Sequence, residues 1–105
     1  MWAMGAAVAD VAREYQGRLW KLEDVVAAAF VEYTPRHQLR LCTLLDSDDP
    51  EVDAQIAQIH LDLEETFREH VFDFSTIHLR GRQAAAFIPK DALVVVSACR
   101  RADAR

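Results

Sequence analysis

Residues 38–53 read QLRLCTLLDSDDPEVD, an apolar run that gives way to a cluster of acids. In its first half Leu39, Leu41, Thr43 and Leu45 alternate with Arg40, Cys42 and Leu44. A period of two predicts a strand with one face buried and the other partly so. In its second half, five carboxylates fall between Thr43 and Asp53. Beyond them Val52, Ile56, Ile59, Leu63 and Phe67 recur at spacings of 4, 3, 4 and 4, which predicts an amphipathic helix from Glu51 to about His70. Asp49-Pro50-Glu51 is a helix-start signal. The Asp oxygen accepts an orphan N–H, the fixed φ of proline suits the first helical position, and acids offset the positive end of the dipole. Capping accounts for Asp49, Glu51 and Asp53 but not for Asp46 and Asp48.

Downstream, VFDFSTIHLR (71–80) and ALVVVSAC (92–99) are rich in β-branched and aromatic residues and read as strands. Phe72 and Phe74 share one face of the first of these, Ile77 and Leu79 the other, so either a bulge near Ser75-Thr76 or burial on both faces is expected. Val94-Val95-Val96 reads as covered on both faces. Residues 82–88 suit one short helical turn before Pro89. A strand, a helix and a strand connected at this length normally form a right-handed crossover between parallel strands.

Upstream, Val8, Ala12, Tyr15, Leu19, Leu22, Val26, Ala29 and Tyr33 are spaced 4, 3, 4, 3, 4, 3 and 4. That heptad-like seam predicts one long helix over about 8–33, bent or broken at Gly17 if anywhere, and ended by Thr34-Pro35. At 1.5 Å per residue it would run roughly 39 Å, longer than a small sheet can cover. Trp20 lies off the seam and suits a surface or an interface. The expected architecture is a two-layer α/β domain spanning 1–105, in the order α-β-α-β-β. The long helix and the second helix pack on a three-stranded sheet containing a parallel β-α-β unit, with the β-α-β-β core over about 37–100.

A chain of 105 residues with 51% hydrophobic and 28% charged residues is in the ordinary globular class, with no room for a deep cofactor-filled core. The net charge of -5 argues against a nucleic-acid binder. Cys42 and Cys99 sit singly in apolar runs, which suits buried reduced thiols rather than a metal or redox pair. The apolar start lacks the basic flank of a secretory signal, and no run approaches the ~20 residues of a membrane span. The cytoplasm is the expected location, with no membrane partner and no cofactor.

If the strands flanking the Glu51 helix are parallel, their carboxyl ends share the edge where open α/β sheets bind ligands. Asp46 and Asp48 follow the first strand, and Arg80-Gly81-Arg82 follows the second. The rim of Asp46, Asp48, Arg80 and Arg82 could thus hold a metal and an anion, as in phosphoryl transfer, or simply form an exposed salt bridge. The order strand, Asp46-Ser47-Asp48, helix and a strand carrying Asp73 resembles the core of nucleotidyltransferase-fold proteins over about half the chain. That family opens its strand with a Gly-Ser pair ahead of an Asp-x-Asp. Here the Gly-Ser is missing and the acids follow the strand, which implies at most a shared shape without catalysis.

Of the four histidines, His60 and Glu64 are four apart and expected to face solvent, His70 falls in the last helical turn, and His78 alternates with Arg80. No metal set, nucleophile elbow or phosphate loop is present. The expectation is therefore a non-enzymatic interaction or regulatory module, a homo-oligomer and most simply a dimer, or an accessory subunit of another protein. Its contact would run through Tyr15, Leu19, Trp20, Leu22 and Val26 of the first helix. The competing expectation is a small ligand-binding or degenerate nucleotidyl-transfer-like domain using the Asp/Arg rim.

Overall fold

The computed structural model describes residues 2–97. In chain order they form α1 (Trp2–Leu19), β1 (Val26–Tyr33), β2 (Leu39–Leu45), α2 (Pro50–Thr66), β3 (Phe72–His78) and β4 (Leu93–Ser97), with 3-10 turns at Trp20–Leu22 and Ala84–Phe87. The strands make one mixed sheet in the order β3-β2-β1-β4. β2 and β3 are parallel, in unbroken register from Leu39 opposite Phe72 to Leu45 opposite His78. β1 is antiparallel to both β2 and β4. The α/β class and the parallel β-α-β unit are those the sequence implies, and the sheet has four strands rather than three.

The added strand comes from the segment expected to be helical over 8–33. α1 passes through Gly17 without a break and ends at Leu19, and Val26–Tyr33 is extended. The seam spacing persisted only because residues 25–31, VVAAAFV, are apolar at every position, so any period fits them. Val25, Val26, Phe30 and Val31 favour a pleated surface, and the three intervening alanines hide that preference. Thr34-Pro35 then marks a hairpin rather than a helix end. The Thr34 hydroxyl accepts from the N–H groups of Arg36 and Gln38, both at 3.2 Å, and the Thr34 N–H donates to the Gln38 carbonyl at 2.8 Å.

Three smaller boundaries also move. α2 closes at Thr66, so His70 lies in the turn beyond it. β4 is an edge strand with Leu93 and Val94 exposed, because α1 reaches only as far as Val95 and Val96. Ala98 and Cys99, read as the end of that strand, lie outside the described residues.

Both helices pack on one face. Val11, Ala12, Tyr15 and Leu19 of α1 and Val52, Ile56 and Leu63 of α2 bury against Val26, Ala29, Val31, Leu39, Leu41 and Leu45. The opposite face carries a second cluster of Ala28, Phe30, Cys42, Leu44 and Leu79, with Ile77, Ala84, Phe87 and Ile88 packed on it. Its cover is the connection from β3 to β4, which must cross the sheet because those strands lie at opposite edges. β3 is therefore partly covered on both faces, without a bulge and with Thr76 exposed. Arg80 (φ 50) and Gly81 (φ 87) are left-handed and turn the chain from the sheet edge onto that face.

Leu44 is fully buried beneath this thin cover. Leu44→Ala is expected to cost about 2–5 kcal/mol in urea unfolding, as much as Leu41→Ala on the helix face. A cost under about 1 kcal/mol would mean that the second face is not packed.

Candidate functional site

The parallel pairing of β2 and β3 puts their carboxyl ends on one edge, with the N-terminus of α2 between them. There the Asp49 side chain accepts from the Glu51 N–H at 2.9 Å, and Pro50 occupies the first helical position. The Ser47 hydroxyl in turn accepts from the Asp49 N–H at 3.1 Å. Much of the acidic turn is thus helix capping.

Of the four rim residues, two meet. Arg80 Nε lies 3.3 Å from Asp48 Oδ1, with the side chains 69% and 66% exposed. Such a pair contributes little, since water screens it. Asp46 is held through its backbone N–H, which donates to the Val25 carbonyl at 2.8 Å, and its carboxylate makes no ion pair among the described residues. Arg82 turns back on its own chain. It donates from Nε to the Leu79 carbonyl and from Nη2 to the His78 carbonyl, both at 2.9 Å, and its guanidinium lies 5.0 Å from the Phe87 ring centre. That side chain is a clamp on the turn after β3 and not part of the acidic edge.

Asp73, the third carboxylate in the nucleotidyltransferase comparison, stands opposite Arg40 near the start of β3. It accepts from Arg40 at 3.3 Å, and Arg40 also approaches Glu32 at 3.5 Å, in a row across three strands. Five residues of strand, about 17 Å, separate it from the rim. The acids that would have to share a metal are therefore at opposite ends of the sheet. Among the described residues no group of three or more His, Cys, Asp or Glu is placed to hold a metal ion.

A row of interactions that the sequence reading did not pick out runs along the outer flank of α2. His78 Nε2 lies 2.8 Å from Asp53 Oδ1. His60 stacks on Phe74 (4.3 Å between ring centres), Phe74 on Phe72 (5.2 Å), and His70 meets Phe72 edge-on (6.2 Å). The signal was present in the spacing. Asp53 and His60 are seven apart on a helix, hence on one flank, and Phe74 and His78 are four apart on the strand face below. His60 is consequently half-buried against a ring rather than facing solvent with Glu64. Among the described residues, its Nε2 and that of His70 have no hydrogen-bond partner. Burial holds the His60 pKa down to about 4.

Cys42 is a buried free thiol whose pKa burial pushes up to about 11, so it is a packing residue and not a nucleophile. Of the residues expected to form an interface, Tyr15, Leu19 and Val26 are fully buried within the chain. The Tyr15 hydroxyl is hydrogen-bonded to that of Thr43, and burial raises its pKa far above the usual phenol value. Leu22 is half-buried and Trp20 is 70% exposed. Beside them a groove of about 530 Å³ runs between α1 and α2, with Leu22 and Ile59 as its apolar part and Gly17 open to it. No rim residue lines it. No helix among the described residues is long and apolar enough to cross a membrane.

In comparisons with known proteins, no family model matches the chain and no curated protein is similar to it.

Two predictions separate the roles of these charges. Asp49→Ala removes the α2 cap and is expected to cost about 1 kcal/mol, whereas Asp48→Asn is expected to cost under about 0.5 kcal/mol, both measured by chemical denaturation. For His60, the unfolded imidazole takes a proton near 6.5 and the folded one only near 4. Between those values the unfolded state binds more protons, so stability falls as pH drops through that window and this group adds no further loss below it. After allowance for solvent screening of a half-buried ring, the loss is about 1–2 kcal/mol. His60→Phe keeps the stack and removes that component, so the pH profiles of the two proteins diverge below about pH 6.5. Parallel profiles would rule this out.

Proposed function

We propose that the protein is a cytoplasmic, non-enzymatic interaction module that self-associates, with the end of its N-terminal helix as a contact surface. The observation that carries this reading is Trp20, an indole left 70% exposed at the tip of α1. Tryptophan is enriched at the energetic centres of interfaces, where its large ring is covered and its N–H finds a partner. Two residues on, Leu22 opens into the groove between α1 and α2, whose other lining residues, apart from Gly17 and Ile59, are charged or amide side chains. The heptad-like seam of the sequence is taken up by packing on and within the sheet, so the contact is a patch at the helix end rather than one along the whole helix. The reduced, buried Cys42 fits the location. A ligand-binding or phosphoryl-transfer role has only the exposed Asp48–Arg80 contact in its favour.

Sedimentation of the wild type at tens of micromolar is expected to show self-association. Trp20→Lys is expected to weaken it by about 30-fold or more, the effect of losing a contact of about 2 kcal/mol. Leu61→Lys, at another exposed apolar site, on α2, serves as the control and leaves it unchanged. A wild type that stays monomeric, or a Trp20→Lys protein that associates normally, would overturn the proposal.

A further inference from the structure

The two edges of the sheet are treated differently by the rest of the chain. At β4 the register slips between Ala29 and Phe30, and Gln16 of α1 donates to the Val95 carbonyl at 2.8 Å. A bulge and a side-chain cap are two of the devices that close an edge to further pairing. β3 has neither. Its seven pairs with β2 are in unbroken register. The Val71 carbonyl accepts from the Leu39 N–H and the Leu79 N–H donates to the Leu45 carbonyl, so the odd-numbered residues of β3 turn their backbone groups toward β2. The even-numbered ones, Phe72, Phe74, Thr76 and His78, turn theirs outward. Among these only the His78 carbonyl is taken, by Arg82 at 2.9 Å. Among the described residues, Phe72, Phe74 and Thr76 present free N–H and C=O groups along the edge.

We infer that this edge pairs with the β3 edge of a second copy, antiparallel, about a twofold axis through Ser75. The arrangement is self-complementary. Centred on Ser75, a non-bonded position, Phe74 falls opposite Thr76 of the other copy, and both turn their backbone groups into the contact. Asp73, the strand's one carboxylate, falls opposite Ile77 rather than opposite its own copy, and Arg40 already holds it. A register centred on Asp73 would instead set two like charges against each other, which is unfavourable. The Arg82 clamp on His78 limits the run, so the contact is short and its affinity modest. It extends the interaction-module reading to a surface independent of Trp20.

A pair of opposed non-bonded residues in antiparallel strands has Cα atoms within disulfide reach. Ser75→Cys in a Cys99→Ser background is therefore expected to form a covalent dimer on mild oxidation, and Ile77→Cys in the same background, which falls opposite Asp73 rather than its own copy, is not. Thr76→Pro removes one outward donor and no bond to β2, as proline at an edge position allows. It is expected to fold and to associate about 10-fold more weakly. Trp20→Lys added to Ser75→Cys leaves the cross-link intact, which separates this contact from the Trp20 surface. Absence of the Ser75 cross-link in folded protein, equal cross-linking at Ile77, or wild-type association by a folded Thr76→Pro protein would overturn the inference. Should Thr76→Pro fail to fold, the cysteine pair decides alone.

Discussion

The placement of β3 and β4 at opposite edges of one sheet constrains the rest of the molecule. With α1 and α2 filling one face, the chain between those strands can return only across the other. That crossing lets β1 and β2 carry apolar residues on both sides, so that Phe30, Cys42 and Leu44 lie as deep as Leu41 and Leu45. The cover is economical: one 3-10 turn, Phe87 and Ile88, and the left-handed pair Arg80-Gly81 that starts the turn. Arg82 fixes that turn by donating to two carbonyls at once. An arginine that looked like an anion ligand beside Arg80 is thereby committed to holding the chain.

Among the described residues, the one polar side chain fully buried in the sheet is that of Thr43, on the helix face, and its partner is the equally buried Tyr15. Each hydroxyl satisfies the other, and either alone would be left unpaired at a cost of about 1–3 kcal/mol. The pair therefore specifies where α1 sits along β2 more sharply than the surrounding leucines can, since apolar contacts tolerate sliding and a hydrogen bond does not. Outside this core, α1 and α2 are joined by Arg18, which reaches Glu14 at 3.0 Å and Asp62 at 3.2 Å. That half-exposed link contributes less than the Tyr15–Thr43 bond, because water competes for it.

Legibility in the sequence followed the purity of the local pattern. β2 alternates cleanly, α2 has both a cap and a 3.6 period, and their order implies a parallel partner, so that unit was readable from residues 38–80. The segment 25–33 was not, because a run apolar at every position matches helix and strand periods alike, and only its β-branched residues tip the balance. The acidic edge was half readable. Strand polarity brings Asp48 to Arg80, but nothing in the spacing says that Arg82 finds its acceptors in the backbone three and four residues before it. The Asp53–His78 contact was within reach, since it follows from helix and strand periods once the strands are taken as parallel.

A parallel strand at the edge of a sheet is usually sheltered on both faces by crossover helices. β3 satisfies that requirement in an uneven way. α2 lays His60 and Asp53 over one face, while Ile77 and Leu79 meet the β3–β4 connection on the other. Beyond the exposed Thr76, what remains open is the row of backbone groups along the edge. Hydrophobic shielding of side chains does nothing for those groups, which only water or another strand can satisfy. At β4 a register slip and a glutamine from α1 on the Val95 carbonyl interrupt the edge mid-strand, whereas at β3 the register is unbroken and Arg82 reaches only the last carbonyl. The asymmetry makes the exposed backbone of β3, rather than the charged turn after β2, the part of this fold whose chemistry is least complete within a single chain.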